Sequence, residues 1–298
     1  MPVSSGKSEE TPCAVCGKNL FSPLLNCEGF FFVRCKFCGL VQRNPQPVKE
    51  EIIARYSSTY GNEYLSYELE NEASFLNLQR LALKDAGFEK LENKLFARNE
   101  NKKSAEQDYQ PSVLDIGCAT GAVLEFLRGR GWRTTGVEIS PSAGYAQKER
   151  NLDVRNLPLE ENNFPPRSFD AVLASHLIEH LNDPRAFLIE INHILKDGGY
   201  IFITTPNISG FQARLFGSKW RSAIFDHLYL FSMRTLKQLL TNTGFKTESC
   251  RTWGGLAAGT APKWLKKTAD ILAKRLNCGD VMILRAVKNS IPAVNADI

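Results

Sequence analysis

The sequence predicts an α/β protein built on a doubly wound, mostly parallel sheet, with a small cysteine-rich module in front of it. Three observations carry this. From residue 113 onward, short apolar strands alternate with amphipathic helical runs, the order a parallel sheet requires. A glycine-rich turn joins the first of these strands to its helix. Ahead of them, two Cys-x-x-Cys pairs lie within residues 13–38. The 298 residues suffice for one large domain and a small one. The expected division is 1–47 for the cysteine module, 48–110 for a helical lid with a polar linker, and 111–298 for the main domain.

Hydrophobic content of 43% and charged content of 23% fit an ordinary globular chain. The first residues carry no apolar signal segment and no window approaches a membrane span, so a cytoplasmic location is expected. Nothing in the sequence sets the oligomeric state. Residues 1–12 are expected to be disordered. Cys13, Cys16, Cys35 and Cys38 then form two knuckles, each followed by glycine and separated by eighteen residues. Four thiolates so spaced suit a tetrahedral structural zinc ion. The apolar residues between them, Leu24, Leu25 and Phe30 to Val33, suffice for a hairpin, and Cys27 is left as a non-ligand. Residues 1–48 hold five basic side chains (Lys7, Lys18, Arg34, Lys36, Arg43) against three acids (Glu9, Glu10, Glu28). That excess is thin for a phosphate-backbone surface, which disfavours nucleic acid as partner.

Asn44-Pro45-Gln46-Pro47 reads as a rigid hinge. A helix from Val48 to Tyr56 follows, docking through Val48, Ile52 and Ile53. Tyr56, Tyr60, Tyr64 and Tyr67 crowd the next segment; apolar rings with polar tips suit a lid, with Tyr60 and Tyr64 as candidate substrate contacts. A longer helix spans 68–87, and 89–110 is polar enough to read as a surface excursion.

The central stretch is Val113-Leu114-Asp115-Ile116-Gly117-Cys118-Ala119-Thr120-Gly121. Val113, Leu114 and Ile116 make a buried strand, the glycines let backbone approach a ligand, and free helix N–H groups face it. The second strand, Thr134–Glu138, ends on an acid able to accept both ribose hydroxyls of a nucleotide. Further strands are expected at Leu152–Val154, Phe169–Ala174 and Tyr200–Thr205. Asp183-Pro184 caps a helix that stops at Gly198-Gly199. Ser232 caps the helix Met233–Thr243, and Val281–Arg285 completes the sheet against Phe245–Cys250.

The spacing Asp115-x-Gly117-x-x-x-Gly121 resembles the first motif of the class I S-adenosylmethionine methyltransferases. The run from Phe169 through His176-x-x-Glu179-His180-Leu181-x-Asp183-Pro184 to Gly198-Gly199 and Thr205-Pro206-Asn207 resembles a large bacterial group of them. The resemblance covers residues 110–250 and extends loosely to the ribbon and the Asn-Pro-x-Pro segment. It implies a Rossmann-like seven-stranded sheet and S-adenosylmethionine as cofactor. It implies a cofactor site of Asp115, Gly117, Cys118, Gly121, Glu138, Ile139, Asn156, Leu157 and Ser175, with Asp115 at the methionine ammonium and the loop of Asn156 and Leu157 at adenine. Ala119 departs from the common pattern, where a third glycine often stands; a methyl is accommodated there if φ is negative. His176, Glu179 and His180 are similar to the acidic-histidine cluster that holds a divalent metal in ubiquinone-pathway O-methyltransferases. Asp226-His227 matches an acid–histidine pair of zinc-ribbon sugar methyltransferases.

His180 and His227 are therefore the candidate catalytic histidines, and His176 and Asp226 candidate substrate contacts. The expected acceptor is a small molecule, a sugar, lipid-linked or secondary-metabolite precursor; the alternative is an RNA methyltransferase using the ribbon. Residues 208–225, rich in aromatic and basic groups, read as a substrate lid. In residues 262–276 Trp264, Leu265, Ile271, Leu272 and Leu276 share a face opposite several lysines. Such a helix either packs on its own domain, the preferred reading, or lies on an anionic membrane.

Overall fold

A computed structural model describes residues 7–57, 59–100, 109–255 and 263–289. The front of the chain holds β1 (Ser8–Glu9), β2 (Phe21–Cys27), β3 (Phe30–Cys35), β4 (Val41–Arg43) and β5 (Gln46–Pro47). Three helices follow: α1 (Lys49–Ser57), α2 (Thr59–Asp85) and α3 (Phe88–Glu100). The main domain then runs β6 (Ser112–Ile116), α4 (Ala122–Arg128), β7 (Arg133–Val137), α5 (Ser142–Glu149), β8 (Val154–Arg155), β9 (Phe169–Ser175), α6 (Pro184–Ile194) and β10 (Leu195–Pro206). It closes with α7 (Phe211–Phe216), β11 (Tyr229–Leu230), α8 (Met233–Asn242), β12 (Phe245–Trp253), α9 (Lys263–Arg275) and β13 (Val281–Lys288).

Seven strands form one sheet in the order β12-β13-β10-β9-β6-β7-β8. β10, β9, β6, β7 and β8 are parallel neighbours, and β13 runs antiparallel between β10 and β12. The expected fold class is the observed one. β6 is buried along its whole length, as a central strand covered on both faces must be. The chain order reverses on either side of β6, so the carboxyl ends of β6 and β9 border a crevice, the usual ligand position in doubly wound sheets.

Several expectations change. Residues 8–9 pair with Gln46 and Pro47 instead of being disordered, so the supposed hinge is a strand with Gln46 fully buried. The second helix begins at Thr59 and takes in the tyrosine segment. Its inward face carries Glu68 and Glu72, while Tyr67, Phe75, Leu78 and Leu81 stay exposed. The stretch read as a polar excursion begins as α3, whose Leu91 and Leu95 are buried beside Trp132; residues 101–108 lie outside the described set. Charged residues hid this helix because Glu92, itself buried, accepts from Arg130 Nε at 2.8 Å and from Trp132 Nε1 at 3.0 Å. α6 ends at Ile194, and β10 starts at Leu195, before the two glycines.

The four-stranded sheet has the order β11-β4-β3-β2. Thus Tyr229 and Leu230, just past residues 208–225, continue the cysteine module's hairpin. Cys13, Cys35, Cys38 and Leu40 share one buried cluster with Leu228, Tyr229, Phe231 and the α8 leucines. Arg234 Nη2 and Asn242 Nδ2 donate to the carbonyls of Cys38 and Val15, at 2.6 and 3.0 Å. Among the described residues no helix is long and apolar enough to cross a membrane. α9 packs on its own domain, as preferred, with Ala273 buried and its carbonyl accepting from Thr252 Oγ1 at 3.1 Å, but Ile271, Leu272 and Leu276 of the expected apolar face are exposed. The side chains of Trp264 and Leu265 lie outside the described residues.

Candidate active site

The site begins at the turn leaving β6. Gly117, Ala119 and Gly121 all have positive φ, at 73°, 51° and 78°. At Gly121 the demand is doubled, because a Cβ there would stand 2.5 Å from Leu152 Cδ1. At Ala119 the expected negative φ is not found; the turn holds an L-residue in the left-handed region. Backbone N–H groups tie the turn to its neighbours. Gly117 N donates to Val137 O at 2.8 Å, and Ala119 N donates to Glu138 Oε2 at 3.0 Å. Glu138 Oε1 accepts from Ser140 N at 2.8 Å. The carboxylate thereby spans the turn and the next loop, with lone pairs remaining on both oxygens.

Three carboxyls converge here. Asp115 is fully buried at the end of β6, and burial together with the charge of Glu138 pushes it up to about 8. Glu68, reaching in from α2, is pushed up to about 7, chiefly by burial, although Ser142 Oγ donates to it at 3.0 Å. Glu72 on the same helix accepts from Thr120 Oγ1 at 2.7 Å, which fastens α2 over the turn. Ser175 Oγ, at the carboxyl end of β9, is buried without a hydrogen-bond partner among the described residues. Glu72 is ion-paired to Arg150 at 2.6 Å, but buried Asp115 and Glu68, which have no basic partner among the described residues, beside an unmatched hydroxyl, are what a cationic ligand bearing hydroxyls would complete.

The other expected cofactor residues are placed less uniformly. The Cys118 side chain turns inward to Leu124, Ala146 and Leu152, so only its backbone lies in the turn. Asn156 Nδ2 donates to Glu138 O at 2.7 Å and so braces the loop. Leu157 is exposed and Ile139 half-buried.

A second cluster lies past β9. The chain turns sharply at His176, φ 50°, and enters a single helical turn, Ile178–His180. Glu179 is fully buried, and its Oε2 accepts from Thr205 Oγ1 at 2.9 Å. Its Oε1 lies 3.3 Å from His176 Nδ1, an ion-pair contact without hydrogen-bond geometry. Burial alone would raise this acid; the surrounding histidines, His176 first, outweigh that and hold it down at about 2. His180 Nδ1 is 3.0 Å from Asp226 O and 3.0 Å from Tyr56 Oη. His227 Nδ1 is 2.8 Å from Ser222 O. A backbone carbonyl can only accept, so each Nδ1 carries the proton and each Nε2 the lone pair. The two rings meet edge to face at 4.7 Å between centroids. Burial, then the charge of His180, pushes His227 down to about 4.

Of the expected substrate contacts, Asp226 is ion-paired to Arg55 at 3.0 Å, His176 is exposed, and Tyr64 is exposed with its hydroxyl on Glu68. The side chain of Tyr60 lies outside the described residues. Glu179, His180 and His227, and separately Cys13, Cys16, Cys35 and Cys38, each gather ligand atoms within 4.8 Å. His227 thus replaces the His176 expected in the acidic-histidine set. The sulfur pairs Cys13–Cys38 and Cys16–Cys35 are 3.3 and 3.5 Å apart. A zinc tetrahedron with bonds near 2.3 Å has edges of about 3.8 Å, so the cage has the right size.

A family profile described as a methyltransferase domain matches residues 78–249. The chain belongs to this methyltransferase family. The match starts inside α2, so it takes in α3 and the sheet strands from β6 to β10, and it ends within β12, before β13. Among curated proteins, the methyltransferase is 28% identical over 121 residues to the ubiquinone biosynthesis O-methyltransferase of Xylella fastidiosa, covering 36% of this chain and 48% of that one. It is 34% identical over 105 residues to the mitochondrial enzyme of the same name from Rattus norvegicus, covering 32% and 30%. The chain spans less than half the length of the curated relatives it matches. Among solved structures, a SAM-dependent methyltransferase from Archaeoglobus fulgidus aligns with 22% identity, a TM-score of 0.46, and coverage of 71% and 99%. The acid-lined turn suits a ligand that carries positive charge.

Sequence reasoning missed Glu68, Arg43 and Arg55, and did not single out Tyr56. For Glu68 a signal existed: the apolar residues of 59–85 do not gather on one face, whereas Glu68 and Glu72 are one turn apart.

Proposed function

We propose that this methyltransferase methylates a hydroxyl group of a small-molecule acceptor, with His180 as general base. The observation that carries the proposal is the fixed tautomer of His180. Its Nδ1–H is held by the Asp226 carbonyl, and Nε2 is left basic beside the sheet's carboxyl edge. S-adenosylmethionine, when bound, supplies a methyl group already activated by the sulfonium. Asp115 then pairs with the ammonium, Glu138 with the ribose hydroxyls, and Ser175 with a further polar atom. Gly117 and Gly121 allow backbone contact, and the Ile139, Asn156 and Leu157 loop borders the adenine. What remains for the protein is to align the acceptor, exclude water and remove its proton. His180 Nε2 takes that proton, and Tyr56 holds the ring. His227, kept neutral by burial, packs edge to face against His180. The four cysteines hold a structural zinc ion. The O-methyltransferase names of the curated relatives support a hydroxyl acceptor.

The test uses methyl-labelled cofactor with a metabolite extract and, separately, with RNA. Label in a small hydroxylated molecule supports the proposal; label only in RNA overturns it. Asp115→Ala is expected to lose S-adenosylhomocysteine binding. His180→Gln is expected to keep that binding and lose turnover by about a hundredfold or more.

A second reading has its own observation. Glu179, His180 and His227 can place one oxygen and two imidazole nitrogens on a divalent cation, and both Nδ1 atoms lie against backbone carbonyls. Titrating magnesium or manganese into zinc-loaded enzyme separates the two: a saturable rise in rate supports the metal, and a flat response supports the base.

A further inference from the structure

The ribbon, α1 and the loop before β11 line an open cavity of about 500 Å³. Its walls include Phe30 and Phe31 from the hairpin, Arg43 from β4, Arg55 and Tyr56 from α1, and Phe225. It adjoins the histidine pair, because Tyr56 contacts His180 and Asp226, another wall residue, supplies the carbonyl that fixes His180.

Arg43 is the unusual member. It is only 7% exposed, and its guanidinium carbon lies over the Phe225 ring, 4.0 Å from the centroid. Nη1 donates to Phe225 O at 2.9 Å. Nε is buried and has no hydrogen-bond partner among the described residues. An arginine keeps its charge under all ordinary conditions, and a buried charge needs an acid or equivalent. The charge of Asp226 reaches Arg43, but Arg55 is the cation in contact with both Asp226 oxygens, at 3.0 and 3.3 Å. The cavity wall therefore holds a largely desolvated cation, a backing aromatic ring and a buried donor without a partner among the described residues.

We propose that this cavity is the acceptor subsite and that Arg43 recognises an oxyanion, a carboxylate or a phosphate, on the acceptor. The proposal rests on the methyl-transfer reading above, which puts the reacting hydroxyl at His180. An acceptor anchored by its anion at Arg43, with its body between Phe31 and Phe225, reaches His180 past Tyr56. The ribbon then acts as one wall of the substrate site, and Arg43 is a specificity-determining residue.

The test uses the zinc-loaded full chain saturated with S-adenosylhomocysteine, titrated calorimetrically with benzoate and with inorganic pyrophosphate. One saturable site is expected for at least one of them, and the tighter anion names the group as carboxylate or phosphate. Arg43→Gln is expected to abolish it and Arg43→Lys to weaken it about tenfold or more, because an ammonium cannot reproduce the fork. Arg34→Gln, an exposed charge change on the neighbouring strand, is expected to leave it intact. If Arg43→Gln fails to fold, Arg43→Lys and Phe31→Ala on the exposed rim carry the comparison. No saturable site with S-adenosylhomocysteine bound, or equal binding to all variants, overturns the subsite while leaving methyl transfer standing. Anion binding that needs Arg43, together with full turnover in His180→Gln, supports the subsite and removes the proposed base instead.

Discussion

Ala119 holds its methyl at φ 51°, where an L-residue gives up about 1–2 kcal/mol against the right-handed region. Glycine there relieves the strain but adds freedom to the unfolded chain. Ala119→Gly is therefore expected to stabilise by a few tenths to about 1 kcal/mol in urea titration; a loss of stability would show that the methyl contributes packing that outweighs its strain. His227 gives a pH-dependent expectation. Its folded pKa of about 4 lies below the ordinary 6.5, so the unfolded chain binds the proton more readily. Stability should then fall as pH drops from about 6.5 to about 4, by about 3 kcal/mol from this residue. Glu179 works in a separate window: held at about 2, it contributes stability present above 4.5 and lost as pH falls toward 2. Unfolding curves across pH 4–7 for the parent and His227→Gln check the first expectation, since the variant should lose that part of the slope.

At the scale of elements, legibility followed one-dimensional pattern. The strands of residues 113–205 announce themselves through β-branched runs between glycine and proline. The Asp183 and Ser232 caps are equally plain, and both bond to backbone N–H groups as their positions require. α3 was hidden because its stabilising partners are distant: Leu91 and Leu95 pack with Trp132, and the charge of Glu92 is answered by Arg130. For the same reason Asp115 and Glu138 could be read from spacing along the chain, whereas Arg43 and Tyr56 could not. Their neighbours lie more than a hundred residues away, on Phe225 and His180. Leu91→Ala is expected to cost about 2–5 kcal/mol in denaturant unfolding, as for other buried leucines. A polar surface excursion would lose almost nothing.

For the molecule as a whole, the position of the ribbon matters more than its presence. Its cysteines share a buried cluster with α8 and the sheet, so its folding is coupled to theirs. Stripping the four-cysteine site with a strong chelator is expected to lower the melting temperature of the entire chain in one transition. The ordering energy of such sites belongs to folding itself. A separate early transition with an unshifted main one would mean that the ribbon melts alone. If the cavity behind Arg43 receives the acceptor, metal loss also weakens acceptor binding before it touches the donor site, which steady-state KM values for the two substrates would separate.

The pairing of β4 with β11 also has a consequence for synthesis. Val41 to Arg43 leave the ribosome early, but their partners Tyr229 and Leu230 follow nearly two hundred residues later. At ordinary elongation rates of roughly 5–20 residues per second, the nascent hairpin waits about 10–40 s with one backbone edge unpaired. During that interval the unfinished edge is the nascent chain's exposure to mispairing.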